Sequence, residues 1–168
     1  MIAISNPSLV LLIGPSGSGK STFARRHFRN TEVLSSDFCR ALVSDDENDQ
    51  TATHDAFELL HLILQKRLHR HRTTVIDATN VHPMSRASLL AAAKQAEVPA
   101  VAIVFQLSEE VCQRRNRQRS YRQVPIDVIQ TQLAMLSESI ASLPSEGFAA
   151  IHTFTTETEA DTIAVTRQ

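Results

Sequence analysis

The chain has no tryptophan, one tyrosine and two cysteines in its 168 residues. Most of its seven phenylalanines sit in apolar segments, so no aromatic platform for stacking successive bases is evident. Cys39 and Cys112 stand far apart and without metal-ligand spacing. That excludes a disulfide framework and predicts free thiols in a reducing compartment. No apolar run approaches the roughly 18 residues of a membrane-spanning helix. The stretch MIAISNPSLVLLIG lacks a cationic region and reads as a first strand rather than a signal peptide. With no targeting signal, the expected compartment is the cytoplasm, with no membrane partner. Net charge is −1, which argues against a protein that coats nucleic acid along a long basic track. Internal repeats and low-complexity linkers are also missing, and the length fits one domain, residues 1–168.

What is present alternates. The segment SLVLLIG (8–14) is a short apolar run bounded by a glycine loop, as a buried parallel strand should be. A helix over 20–28 and a strand over 32–35 follow. Ala56, Phe57, Leu60, Ile63, Leu64 and Leu68 recur at helical spacing within 51–68. The β-branched run 73–79 predicts a strand, 83–97 a helix with proline near its start, and 99–107 a buried strand. Residues 108–119 begin with serine and two acids, which suits a helix N-terminus. In 125–143 an apolar stripe of Ile126, Ile129, Leu133, Leu136, Ile140 and Leu143 predicts a helix packed on a sheet. A coiled-coil seam is the alternative. A fifth strand is expected at 148–154, and the tail 155–168 gives no clear pattern beyond a short last strand. Such alternation predicts an α/β fold with a parallel five-stranded sheet and helices on both faces. Ligands of these sheets bind beyond the carboxyl ends of the strands.

GPSGSGKST, residues 14–22, fits G-x-x-x-x-G-K-[ST] between a predicted strand and a predicted helix. Gly14, Gly17 and Gly19 permit backbone geometry that aims several N–H groups at a phosphate, and Ser16, Ser18 and Thr22 complete the loop. The helix N-terminus adds a favourable dipole. Lys20 would place its charge on the β- and γ-phosphates of a nucleotide, and the Ser21 hydroxyl would ligate Mg²⁺. Asp77, at the end of a strand, can enter the metal shell directly or through water. Its other reading is a cap on the turn containing Thr79 and Asn80.

LSSDFCRALVSDDEND (34–49) sets Asp37 and Arg40 three residues apart. A carboxylate there can orient an acceptor hydroxyl and take its proton late in phosphoryl transfer. A guanidinium on the same helical face suits a phosphate on the acceptor. A surface ion pair is the competing reading. In the arginine run RRNRQRSYR, Arg115, Arg119 and Arg122 share one face if the helix persists, as a cationic lid over phosphates requires. An exposed basic helix is the alternative, and Arg114 and Arg117 are expected in solvent.

Together, GPSGSGKSTFARRHF, EVLSSDFCRALVSDDENDQ, TTVIDATNV and CQRRNRQRSYRQVP resemble the kinase domain of bacterial polynucleotide kinase-phosphatase. The resemblance covers about residues 9–148. It implies a P-loop kinase fold with a helical lid at about 112–124. It also implies transfer of the γ-phosphate of ATP, or another NTP, to 5′-OH ends of RNA or DNA with Mg²⁺, in nucleic-acid end healing. By position, Asp37 matches the general base, Arg40 the acceptor-phosphate arginine, and Lys20 and Ser21 the phosphate-loop pair. Arg115 and Arg119 match lid arginines on the ATP phosphates, with Arg122 close by. Phosphatase and ligase domains in a longer parent chain are further implied partners. Arg114 and Tyr121 depart from the family's acidic or small polar residues. The acids Asp45, Asp46, Glu47 and Asp49 follow its pattern without an evident physical role. A small-molecule kinase for a nucleoside or metabolite, and a nucleotide-gated module or ATPase without acceptor, share the loop and remain alternatives.

Overall fold

The computed structural model describes residues 1–120 and 122–168, and Tyr121 lies outside them. In chain order the elements are β1 (Ile2–Ile4), β2 (Leu9–Ile13), α1 (Lys20–His27), β3 (Val33–Ser35) and α2 (Ser36–Ser44). Then come α3 (Thr53–His69), β4 (Thr74–Asp77), α4 (Pro83–Gln95), β5 (Ala100–Phe105) and α5 (Glu109–Arg117). The last are α6 (Ile126–Ser139), β6 (Ala150–Phe154), α7 (Glu157–Thr162) and β7 (Val165–Arg167). Five strands form a parallel sheet in the order β3-β4-β2-β5-β6, as the alternation predicted. No helix among the described residues is long and apolar enough to cross a membrane.

The all-apolar sequence of β2 explains its place at the centre, because both faces are covered. Leu9, Leu11 and Ile13 point to one layer, where Leu60, Leu64 and Leu68 of α3 and Leu89 of α4 pack on them. Val10 and Leu12 point to the other, where Phe23, Phe28, Phe105 and Phe154 gather. The Phe23 and Phe105 rings meet edge to face there at 5.5 Å between centroids.

Register decides what stands at the carboxyl edge. Leu12 of β2 pairs with Asp77 of β4 and with Ile103 of β5, and Ser35 of β3 also pairs with Asp77. The ends of β3, β4 and β2 therefore lie close together, with β5 running slightly further to Phe105. The chain passes from β2 out to β3, returns through β4, and crosses over to β5. That reversal opens a crevice beside β2.

Three expectations need correction. Helix α5 stops at Arg117 with Gln118 as its C-cap, so Arg119 and Arg122 lie beyond it and share no helical face with Arg115. The buried Asn116 causes this stop. Its amide donates to Val124 O at 2.8 Å and accepts from Val124 N at 3.0 Å, which ties Val124 back against the end of α5. The stripe on α6 is broken at Ile126, which is 52% exposed, while Ile129, Leu136 and Leu143 are buried. The tail is more ordered than its pattern suggested. It forms α7, capped by Thr156 and Glu159, and then β7, which pairs with β1 in a separate two-stranded sheet.

Candidate active site

The phosphate loop joins β2 to α1. Gly14 N donates to Thr79 O at 2.9 Å, tying the loop to the turn after β4. Gly17 and Gly19 take φ values of 83° and 98°, in the left-handed region that favours glycine. Gly17 is also sterically required, because it faces backbone, whereas Gly19 faces the far end of a side chain. A Cβ on Gly17 would sit 2.2 Å from Cys112 O, and one on Gly19 would sit 2.5 Å from Arg115 Nη1. Helix α1 has no acidic residue in its first turn and no side chain capping it. Its N-terminal N–H groups thus meet a cleft in which an anion is the natural partner.

Lys20 is buried. Its Nζ donates to Gly14 O and Pro15 O, each at 2.8 Å, and to Ser18 Oγ at 3.3 Å. Burial lowers its pKa to about 8, against the opposing pull of Asp77. An ammonium held this loosely gains its charge fully when phosphate arrives. Asp77 is 8% exposed. Burial pushes its carboxyl above the ordinary range, although Lys20 and a hydrogen bond from Ser21 oppose the shift. A buried carboxylate beside a hydroxyl, short of compensating charge, is a hard-oxygen donor set that fits a divalent cation such as Mg²⁺. The turn residues are occupied otherwise. Asn80 donates to Leu12 O at 2.8 Å, and Thr79 O takes the Gly14 N–H, so the cap reading of Asp77 finds no partner there among the described residues.

Asp37 and Arg40 share a face of α2 as their spacing predicted, joined at 2.8 Å from Nη1 to Oδ1. The other oxygen of Asp37 meets Arg122 Nη1 at 2.5 Å, a contact the sequence did not foretell. Burial works against the charge on Asp37, but the hydrogen bonds and fields of Arg122 and Arg40 outweigh it and hold the carboxyl below its ordinary range. Arg122 therefore stands on Asp37 while lining the same cleft as Lys20 and Arg119. Arg40 is 5% exposed and also donates to Glu47 O at 2.7 Å.

That last bond gives the acid-rich stretch a physical role. Asp45 ends α2 in the left-handed conformation, with φ 59°. Asp46 accepts from Asn48 N at 2.8 Å, and Asp49 accepts from Thr51 N at 2.9 Å to start the short 3₁₀ turn Gln50–Ala52. Three of the four acids are thus turn and cap residues, the use to which short polar side chains are suited. Together they wrap the chain around Arg40.

These groups line one cleft of about 560 Å³. Lys20, Arg40, Arg119 and Arg122 face it as cations, Asp37 and Asp77 as carboxylates, and Ser21 at the helix start. An adjoining pocket of about 400 Å³ lies across the loop between Gly17, Gly19, Thr22, Arg25, Arg26 and Arg115. Ser21 and Arg119 border both. The cleft has an excess of cations, which suits a phosphate chain between two compartments. A larger apolar groove of about 830 Å³ runs between α4 and the start of β5. Its charged residues are Lys94 and Glu146, and Glu146 is already tied to Arg86, so the chemistry belongs to the smaller cleft.

Sequence reading missed Gln132 and Asn116. Gln132 Oε1 accepts from Ser16 N at 2.7 Å, pinning the phosphate loop to α6. A polar residue inside the apolar stripe was the available signal. Arg115 lies beside the loop, with Nη1 3.4 Å from Ser18 O, and its other nitrogens go to the tail. Arg114, expected in solvent, is 42% exposed yet pairs with Glu157. Both cysteines are free and buried.

No curated protein matches the chain in sequence. Among solved structures, a chain of the Pnkp1/Rnl/Hen1 RNA repair complex is similar with a TM-score of 0.70 and 23% identity. The alignment covers 83% of this chain and 47% of that one, so this chain spans about half its length. A gluconokinase from Sinorhizobium meliloti 1021 aligns with a TM-score of 0.56 and 18% identity, covering 94% of this chain and 87% of that one. A shikimate kinase from Acinetobacter baumannii, solved with shikimate, aligns with a TM-score of 0.54 and 16% identity, covering 92% and 88%. These likenesses carry the fold. A family model described as an AAA domain matches residues 9–140. The chain belongs to this AAA domain family and has the fold of the P-loop kinases.

Proposed function

We propose that the chain is a polynucleotide 5′-hydroxyl kinase, a single P-loop kinase domain with residues 112–124 as lid. It transfers the γ-phosphate of ATP or another NTP to a 5′-OH end of RNA or DNA in end healing. The observation that carries this reading is the buried Arg40 beside Asp37. An unphosphorylated sugar offers that guanidinium hydroxyls but no anion, whereas the phosphate next to a terminal nucleoside offers a charged, bidentate partner. The similarity to a chain of an RNA repair complex supports it and suggests repair enzymes as partners.

The chain's residues divide the work. Asp37, ionised at neutral pH, orients the acceptor hydroxyl toward the γ-phosphorus. As the new O–P bond forms and the bond to the β-phosphate oxygen breaks, the hydroxyl proton passes to Asp37 and the nucleoside diphosphate leaves. Arg40 holds the acceptor phosphate, and Arg122 steadies Asp37 from the other side. Lys20, Arg115 and Arg119 counter the charge on the transferring group, with the loop N–H groups of residues 14–22 cradling the phosphates. Ser21 and Asp77 would hold Mg²⁺, which when bound neutralises phosphate charge.

A small-molecule kinase is the second reading. The alignments with gluconokinase and shikimate kinase span nearly the whole of those chains, which favours it. Transfer from γ-labelled NTP to a 5′-OH oligonucleotide and to a 3′-NMP, measured beside nucleosides and sugars, separates the two. Turnover of a nucleoside or sugar without transfer to either nucleotide acceptor would sink the polynucleotide reading.

A further inference from the structure

The carboxyl-terminal tail, which no part of the reaction so far uses, ends on the guanidinium of Arg115. Nε donates to Glu157 Oε1 at 2.8 Å, and Nη2 donates to Asp161 Oδ2 at 2.7 Å. Both carboxylates belong to α7. This leaves Nη1 directed across Gly19 toward Ser18 O at 3.4 Å, over the phosphate loop. Two edges of the fork are occupied by carboxylates, and the third, with only the long contact to Ser18 O, borders the pocket lined by Gly17 and Gly19. The Arg115 side chain is 18% exposed, less than either carboxylate that holds it.

The clasp is itself supported. Glu157 also binds Arg114, and the backbone carbonyl of Asp161 accepts from Arg26 of α1. Helix α7 is closed at its start by the Thr156–Glu159 capping box. It is anchored beyond its end by the pairing of β7 with β1, and Arg167 of β7 binds Glu32 at 2.6 Å. The residues doing this, 155–168, lie outside the 9–140 region that matches the AAA domain.

We propose that Glu157 and Asp161 are positioning residues that hold Arg115 by two edges and present its third to the phosphates. Resting on the phosphotransferase reading above, this deepens it by assigning the tail a part in transition-state stabilisation. Carboxylates near a phosphate chain oppose the binding of an anionic nucleotide. A pair kept there must act after binding, by fixing a donor in advance of the charge that develops during transfer. Substrate affinity and turnover should therefore move in different directions when the pair is neutralised.

The test is the double variant Glu157→Gln with Asp161→Asn in the full chain, alone and combined with Arg115→Ala. NTP affinity should stay or tighten, while kcat for phosphate transfer falls about tenfold. In the Arg115→Ala background the same two changes should leave kcat where Arg115→Ala puts it, because the donor they hold is gone. Glu157→Asp, which keeps the charge and shortens the reach, should recover part of kcat over Glu157→Gln. An unchanged kcat in the double variant overturns the proposal. So does a rise in kcat, which would mark the carboxylates as a latch that must open. Equal additive losses in both backgrounds also overturn it, marking a merely structural role. The measurement uses whichever γ-phosphate transfer the wild type performs, to oligonucleotide, nucleoside, sugar or water. A wild type that turns over a nucleoside or sugar but neither nucleotide acceptor thus defeats the polynucleotide reading and still tests the clasp.

Discussion

Arg86 is the side chain whose removal should cost this fold most. It is fully buried in α4, and each of its donating edges is used. Nε donates to Glu146 Oε2 at 2.7 Å and Nη2 to Glu146 Oε1 at 2.5 Å. Nη1 donates to Asn80 O at 2.9 Å and Val81 O at 3.1 Å. Arg86→Met keeps the stem and deletes the charge. Glu146, 14% exposed on its side chain, would keep its hydrogen bond from Ser142, and the Asn80 carbonyl would lose its Arg86 donor. Breaking a buried pair by removing one partner costs about 3–5 kcal/mol. For a chain of this size that lowers Tm by about 10 °C. Chemical denaturation at pH 7 and a thermal scan measure both values. The pH dependence adds a sign. In the wild type, burial opposes the charge on Glu146, but Arg86 and Ser142 outweigh it and hold its pKa below the ordinary 4.5. That stabilisation is present above 4.5 and lost as pH falls through the folded value. In the variant, burial acts unopposed by Arg86, so the deficit should be largest at neutral pH and narrow on acidification. Adding Glu146→Leu should return part of the loss. A cost below about 1 kcal/mol at pH 7, or a double variant no better than the single, would refute the account.

Asp37→Asn should lower phosphate transfer by at least about a hundredfold while NTP affinity is kept, measured by single-turnover transfer and by nucleotide titration. Because Arg122 and Arg40 hold its pKa low, the wild-type acid limb from Asp37 should lie below the ordinary value of 3.8, and Arg122→Ala should move it up. Arg40→Ala should raise the KM of a phosphorylated acceptor about tenfold or more and leave that of NTP nearly unchanged; equal changes in both would remove Arg40 from the acceptor site. Lys20, with a free-state pKa of about 8, should be raised by bound phosphate. Nucleotide binding at pH 8 should then take up about half a proton, seen by calorimetry in two buffers of different ionisation enthalpy, with no uptake at pH 6.

The sequence alone determined the sheet, the phosphate loop and the faces on which Asp37, Arg40, Lys20 and Asp77 stand. Each rests on local information. The apolar run of β2 has no reading except a strand covered on both sides, the glycines of 14–22 specify their own turn, and residues three apart on a helix meet whatever surrounds them. Tertiary structure decided what depends on distant segments. Helical periodicity extended through the arginine run, yet the chain turns at Arg117 because Asn116 finds Val124 eight residues on, and so Arg122 reaches Asp37. The four acids after α2 had no evident role until the path of the chain put the Glu47 carbonyl on Arg40. The tail had no periodicity to read, since its short elements are stabilised by pairing with β1, by ion pairs to α5 and Glu32, and by a hydrogen bond from Arg26 of α1 to a backbone carbonyl. Contacts between residues more than a hundred positions apart leave no spacing pattern in the chain. They exist only once the sheet has brought both ends to the same side of the phosphate loop.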